Sequence, residues 1–287
     1  MDVPGTEDLE VGAREKALAA LRCLPPLSAV AIKLQLADRE DLGIDDVAEM
    51  IRADAALSAD VLRLANSPLF GLGQPATSIL HAVALLGLNR VIAFVITAAL
   101  RSFANPARGT AALKRCWRHG LTCGLICEDL AEIVGLDPDI AYTAGLLHDI
   151  GRSGMLGVWT RRYARLLDEA TPEPLALLAS ERRALGIAHT DAGAFLLRDW
   201  RLPEVLVDVA QFHHDPTRLD VTDYIGMAHC GCARADALGF VVSGKAGEQD
   251  PTADIPASWR DILAGLPAEF DLGIVERVNS LEGSLLG

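Results

Sequence analysis

Residues 111–134 read AALKRCWRHGLTCGLICEDLAEIV. Leu113, Trp117, Leu121 and Leu125 recur every four residues, the spacing that stacks side chains along one face of a helix. The stretch therefore predicts one long helix. The same period continues outward from it in both directions. Towards the N-terminus, Ser78 to Phe103 is apolar on almost every face apart from Asn89, Arg90 and Arg101, and Gly87 divides it into two helices. A helix apolar all round is a buried one, so this pair is expected at the centre of the first half. Val61, Leu62, Leu64 and Ala65 form another helix, stopped by Asn66, Ser67 and Pro68, and Asp45 and Asp46 cap a third that carries Val47, Met50 and Ile51. Towards the C-terminus, Asp137 and Pro138 open a helix carrying Ala141, Ala144, Leu147 and His148. Further helices are predicted near Arg161–Ala170, Pro174–Leu185, Thr190–Asp199, Glu204–His213, Asp223–Leu238, Ala257–Leu263 and Ile274–Leu285. No stretch alternates as a strand does, and no repeat of fixed period stands out. The expected class is all-α.

Length and composition narrow the function. The 287 residues correspond to roughly two domains at about 150 residues each. With 51% of residues apolar, disorder is not expected. The 26 basic against 39 acidic residues leave a net charge of −13, so no general nucleic-acid binding is expected, because phosphate affinity rests on Lys and Arg. The longest near-apolar run, Val91 to Leu100, is half the roughly 20 residues a membrane helix needs, and arginines flank it. The start, MDVPGTEDLEVG, is acidic without an apolar core, so no secretory signal is expected and the chain reads as cytoplasmic. In that compartment the six cysteines are expected to be reduced.

Histidine placement carries the chemistry. Six of the seven histidines follow residue 118: His119, His148, His189, His213, His214 and His229. Asp149 follows His148, and Asp215 follows His214. Imidazole and carboxylate suit first-row transition metals. No H-x-x-x-H pair exists, so a site must be assembled from several helices, and the competing reading is a set of unrelated surface or core histidines. A rival ligand set is Cys116, His119, Cys123 and Cys127, which share one helix face, with Cys230 and Cys232 flanking His229. A thiolate–imidazole zinc site is conceivable there, against the alternative of small buried hydrophobes, and no C-x-x-C strengthens it. His81 reads as a core or groove residue. Arg161-Arg162 and Arg182-Arg183 read as solvated helix faces, and Gly71-Leu72-Gly73 lacks the strand–helix setting of a phosphate loop.

The order of short words along the chain adds a resemblance. Trp117-Arg118-His119 opens a helix. Ala144-Gly145-Leu146-Leu147-His148-Asp149-Ile150-Gly151-Arg152 follows, then Glu181-Arg182 to Gly186-Ile187-Ala188-His189 with Gly193. Trp200, Leu202-Pro203 and Phe212-His213-His214-Asp215-Pro216 come next. The first half carries Leu24-Pro25-Pro26-Leu27, Leu62-Arg63-Leu64-Ala65-Asn66-Ser67, Phe70-Gly71, Ile79 to Ala82 and Leu85-Leu86-Gly87-Leu88-Asn89-Arg90-Val91. Over roughly residues 20 to 235 the chain resembles the HDOD branch of the HD superfamily of metal-dependent phosphohydrolases. Each word is weak alone, and their shared order is what carries the resemblance.

The resemblance implies an N-terminal helical bundle followed by an HD-type helical domain. The expected division is an extension over 1–19, an N-terminal helical subdomain over 20–106, an HD-like subdomain over 107–240, and a C-terminal loop with helices over 241–287. The Asn105–Gly109 stretch would be the linker. In catalytic relatives, positions like His119, His148, Asp149 and a final Asp hold one metal, and that last position aligns with His229. In dinuclear relatives, positions like His189, His213 and His214 hold a second metal, with Asp149 bridging. Arg152 stands where those relatives often have Lys, a charge suited to a phosphate oxygen. The His at 229 would bias the site towards Fe, Zn, Ni, Co or Mn rather than magnesium, and the missing G-Y-P word after His189 argues against a cyclic-dinucleotide phosphodiesterase. The implied function is a signal-transduction output with a degenerate site that binds metal or a small ligand, and a signalling protein as partner. The alternative is an active phosphohydrolase on a nucleotide-type substrate, with Asp149 and Arg152 as its catalytic residues.

Overall fold

The computed structural model describes residues 6–25, 28–37, 42–66, 75–103, 109–171, 173–218, 223–245, 252 and 255–286. Among them every regular element is helical, as the periodicity predicts. In chain order these are α1 (Thr6–Arg22), α2 (Ala29–Leu36), α3 (Ile44–Arg52), α4 (Ala55–Ala65), α5 (Ile79–Leu86), α6 (Leu88–Phe103), α7 (Ala111–Val134) and α8 (Pro138–Leu147). There follow α9 (Ile150–Glu169), α10 (Pro174–Leu185), α11 (His189–Asp199), α12 (Glu204–Phe212), α13 (Tyr224–Ala237), α14 (Ala257–Ala264) and α15 (Phe270–Leu286). Residues 26–27, 67–68, 70–73, 105–108, 246–251 and 253–254, on which parts of the predicted turns, linker and loop fall, lie outside the described residues.

Local chemistry explains the boundaries. Thr110 Oγ1 accepts a hydrogen bond from Leu113 N at 3.2 Å to start α7, and Gly135, at φ 76°, ends it in the left-handed conformation that glycine adopts freely. Asp137 accepts from the N–H groups of Asp139 and Ile140, with Pro138 in the first turn of α8. The start of α3 differs from the expected Asp cap. Gly43 is the capping residue, and Asp46, three residues on, accepts from Gly43 N at 3.0 Å. Both carboxylates thus sit inside the first turn, next to the positive end of the helix dipole.

The chain divides into two compact units, one made of Met1–Pro25 with Phe103–Gly265 and the other of Pro26–Ser102 with Leu266–Gly287. In the first unit α7 packs on α8, α9 and α13. Its approach to two of them is at backbone distance. A Cβ on Gly145 would lie 2.8 Å from Cys123 O, and one on Gly231 would lie 3.4 Å from Cys123 O. α9 begins directly after Asp149, eleven residues before the predicted start, and bends at Trp159. The glycines Gly151, Gly154 and Gly157 dilute its apolar period and lower its helix propensity. They are nevertheless what lets α9 meet α11, because a Cβ on Gly151 would lie 1.9 Å from His189 O. α1 packs on α9, α10 and α11, with Leu21 close to Gly154.

In the second unit, Gly87 at φ 81° separates α5 from α6 as expected. α6 buries Val91, Ile92, Phe94, Val95 and Ile96. α5 is buried on one face only: Ile79, Ala82, Val83 and Leu86 turn inward, while Leu80, Leu85 and His81 are exposed. His81 is therefore not a core residue. α4 ends at Asn66, whose side-chain amide donates to Ala76 O at 3.0 Å and accepts from Ala76 N at 2.7 Å. Among the described residues no single helix is long and apolar enough to cross a membrane.

Candidate metal centre

His148 and Asp149 occupy the turn between α8 and α9, and both are buried. His148 Nδ1 lies 2.6 Å from Gly145 O. A carbonyl only accepts, so Nδ1 donates and Nε2 is left with its lone pair. The same logic fixes three more rings. His119 Nδ1, on α7, donates to Phe240 O at 2.7 Å. His189 Nδ1, at the start of α11, donates to Glu181 Oε2 at 2.7 Å. His213 Nδ1, after α12, lies 3.0 Å from Val209 O and 3.2 Å from Ala210 O. An imidazole held through Nδ1 by an oxygen, with Nε2 presented, is the orientation metal-ligating histidines take.

The presented atoms converge. Nε2 of His189 lies 3.2 Å, and Nε2 of His213 3.5 Å, from Asp149 Oδ1. The His148 and His213 ring centres are 4.8 Å apart, and those of His213 and His214 are 4.1 Å apart. Asp149 Oδ1, Nε2 of His148 and His213, and both ring nitrogens of His214 are buried without a hydrogen-bond partner. Leaving such an atom unsatisfied costs about 1–3 kcal/mol, so several together need a cause. Ligand atoms of Asp149, His189, His213 and His214 lie within 4.8 Å of one another, as do those of His119, His148 and Cys232. A narrow cleft reaches both groups, with His119, Asp149, Arg152, His214, Cys232 and Asp236 on its walls.

For three of the rings the electrostatics favour electron-pair donors. Burial pushes His148 and His214 well below the ordinary imidazole value, and His213 below it, so these rings are neutral. Burial opposes ionisation of Asp149, but Arg152, His148 and His189 outweigh it and hold the carboxyl well below its ordinary value. His119 moves the other way. Burial lowers it, yet the Cys232 sulfur and the Asp236 carboxylate raise it well above the ordinary value.

Arg152 is part of this network rather than free in the cleft. Its Nε donates to Asp149 Oδ2 at 2.6 Å, its Nη1 to Glu181 Oε1 at 3.3 Å, and its Nη2 to His189 Nε2 at 3.1 Å. Tyr163 donates to Glu181 Oε1 at 2.6 Å. Glu181, completely buried, therefore orients both His189 and Arg152. In the sequence, Glu181 stands out only as one letter of a family word. Its polar identity on a buried helix face was the available signal.

Of the residues expected to form the site, the structure gathers His119, His148, Asp149, His189, His213, His214 and Arg152. It does not bring His229 into either donor group. His229 Nδ1 donates to His213 O at 2.9 Å and its Nε2 is buried without a hydrogen-bond partner, but its ring nitrogens lie outside both groups. Of the rival cysteine set, Cys123 and Cys127 meet, with their sulfurs 3.9 Å apart, but they form no donor group with His119. Cys123 and Cys127 Sγ lie 3.6 and 3.7 Å from Ala228 O and Met227 O, and burial pushes the Cys116 and Cys230 thiols up to about 12. Cys232 alone joins the histidines, with Sγ 3.3 Å from His119 Nε2. All six cysteines are free thiols.

Comparison with known proteins agrees with this architecture. A curated relative from Treponema pallidum, itself uncharacterised, is 28% identical over 207 residues, which are 67% of this chain and 38% of the relative, so the chain spans well under half of that protein. The crystal structure of an HDOD domain protein of unknown function from Geobacter sulfurreducens superposes with a TM-score of 0.75 at 27% identity, covering 94% of this chain and 98% of that one. A Shewanella amazonensis structure carrying the provisional name phosphohydrolase superposes at 0.65 with 26% identity, covering 96% of each chain. Residues 24–216 match the HDOD domain, and the chain belongs to the HDOD family.

Proposed function

We propose that this protein is a signal-transduction output whose HD-type site holds a divalent transition metal without turning over a phosphodiester. One observation carries the metal: Asp149 Oδ1 and the Nε2 atoms of His148 and His213 are buried without a hydrogen-bond partner, and ligand atoms of Asp149, His213 and His214 lie within 4.8 Å of one another. A cation resolves that conflict. The donors would be His119, His148, Asp149, His213 and His214, with His189 joining them once its Nε2 lone pair is released from Arg152 Nη2. An imidazole-rich set suits iron, zinc, nickel, cobalt or manganese better than magnesium. Such an ion supplies Lewis acidity and lowers the pKa of bound water.

The regulatory reading is supported by Arg152. A catalytic cation for phosphate must point its donors at the substrate. Here three protein acceptors engage the guanidinium, so a phosphate would have to displace Asp149, Glu181 or His189. A signalling protein is the expected partner and the cytoplasm the expected compartment. The phosphohydrolase reading retains one support, the cleft that brings Asp149, Arg152 and His214 to its wall.

The deciding experiment is elemental analysis of purified protein beside His148→Ala and Asp149→Ala, followed by turnover of a generic phosphodiester with Mn, Fe, Co, Ni and Zn. Metal that is lost in both variants, without turnover, supports the proposal. Metal content unchanged by either substitution overturns the site, and turnover abolished by Asp149→Ala overturns the regulatory reading.

A further inference from the structure

The two donor groups differ in one atom. The Asp149 group offers oxygen and nitrogen, whereas the His119 group contains a sulfur. We propose that Cys232 is a metal ligand, and that His119, His148 and Cys232 form a soft thiolate–imidazole position for a zinc-class ion. This rests on the metal-binding reading above and adds a ligand that the resemblance does not supply.

Three observations carry it. First, the spacing fits. Nitrogen at about 2.0 Å and sulfur at about 2.3 Å from one tetrahedral ion stand about 3.6 Å apart, and Cys232 Sγ lies 3.3 Å from His119 Nε2. Second, both imidazoles are locked for donation, through Phe240 O and Gly145 O, and the buried Nε2 of His148 has no hydrogen-bond partner. A plain S–H donation from Cys232 to His119 would leave that atom unexplained. Third, Cys232 lines the cleft together with His119, which gives an ion a route in and a proton a route out. Cys123 and Cys127, by contrast, face the backbone of α13.

The placement also accounts for the departure at position 229. His229 is turned onto His213 O, and Cys232 stands one helical turn further along α13. It supplies the negative ligand that a carboxylate would otherwise provide. Binding converts the Cys232 thiol to a metal thiolate, and the released proton leaves to solvent. A thiolate selects zinc or cobalt over magnesium and manganese.

The test uses the full chain, stripped by chelator, kept reduced, and titrated with Co²⁺ alone. Sulfur ligation produces a sulfur-to-cobalt charge-transfer band in the near ultraviolet beside the visible ligand-field bands. The wild-type protein is expected to show both. Cys232→Ser should keep visible cobalt bands, lose the near-ultraviolet band and bind Zn²⁺ roughly tenfold or more weakly, while Cys230→Ser should retain the band. Circular dichroism and thermal unfolding of Cys232→Ser check its fold, and the wild-type band decides the question even if that variant is unstable. Cobalt bound without the near-ultraviolet band overturns Cys232 as ligand and leaves the metal reading intact. A band that survives in folded Cys232→Ser likewise overturns it. No cobalt or zinc bound by the wild-type chain overturns both.

Discussion

Arg152 Nε stands 2.6 Å from Asp149 Oδ2, one helical turn away, and both side chains are 4% exposed. This buried pair places a permanent positive charge against the carboxylate on which the whole site turns. It accounts for Asp149 remaining ionised in a setting that otherwise disfavours charge. Removing the cation should therefore expose Asp149 and Glu181 as uncompensated buried acids. Arg152→Met is expected to destabilise the fold by about 3–5 kcal/mol, measured by urea unfolding at neutral pH. Arg152→Lys should lose less, because it keeps the charge and gives up only the forked geometry. A loss below about 1 kcal/mol for Arg152→Met would show that the pair does not hold these carboxylates.

The metal-free protein should lose stability on acidification in two stages. His148, His213 and His214 titrate below the ordinary 6.5 in the folded state. Their contribution is complete above 6.5 and is lost as pH falls, because the unfolded chain takes up protons that the folded one refuses. Asp149 and Glu181, also lowered, act the same way from about pH 4 downward. His119 is raised and opposes the first stage, since its contribution is complete below 6.5 and is lost as pH rises. Three rings against one predict a net fall in unfolding free energy between pH 7 and 5. Urea midpoints in chelator across that range check it, and a flat or rising profile would contradict the burial argument.

Gly151 should tolerate no side chain. A Cβ there would lie 1.9 Å from His189 O and 2.6 Å from Gly193 N, both backbone atoms that cannot swing aside. Gly151→Ala is expected to push α9 from α11 and cost more than the about 1–3 kcal/mol of ordinary overpacking. Gly12 in α1 is the contrast, because a Cβ there would meet nothing within 4 Å. Gly12→Ala should therefore be neutral or stabilising by up to about 1 kcal/mol. Thermal unfolding of the two variants side by side gives the comparison.

Asn66 ties the end of α4 to Ala76 with both halves of its amide. Asn66→Ala leaves the Ala76 N–H and carbonyl without that partner and should cost about 1–3 kcal/mol. Asn66→Asp keeps the acceptor for Ala76 N and should cost less. Equal losses in denaturant unfolding would show that the acceptor half carries nothing.

A metal that binds only the folded state raises stability by about 2.7 kcal/mol when present at a hundredfold over its dissociation constant. Zinc should therefore raise the melting temperature of the stripped protein. His148→Ala should reduce that shift, whereas His81→Ala should preserve it, because His81 is exposed on α5 in the other unit. Equal shifts in the two variants would place the ion elsewhere.

Much of the fold was legible in the sequence because its signals are local. The period of Leu113, Trp117, Leu121 and Leu125 and the helix start at Asp137 and Pro138 act within a turn or two, and the bounds of α7 and α10 coincide with the expected ones. The start of α9 was hidden, because Gly151 and Gly154 serve helix contacts that no local pattern records. The one-sided burial of α5 was hidden too, since apolar composition does not say which face finds a partner.

By itself the sequence determined an all-α chain with histidines and Asp149 distributed over its second half, and the family words placed five of those histidines in order. Only the tertiary structure decided which side chains meet. It turned His229 onto a backbone carbonyl, brought Cys232 to His119 across 113 residues of chain, and closed Arg152 onto Asp149, Glu181 and His189. The reason is physical. Helix period and capping depend on neighbours within about four residues, whereas a ligand cluster depends on the rotation and close approach of separate helices, which interior packing fixes and no single segment encodes.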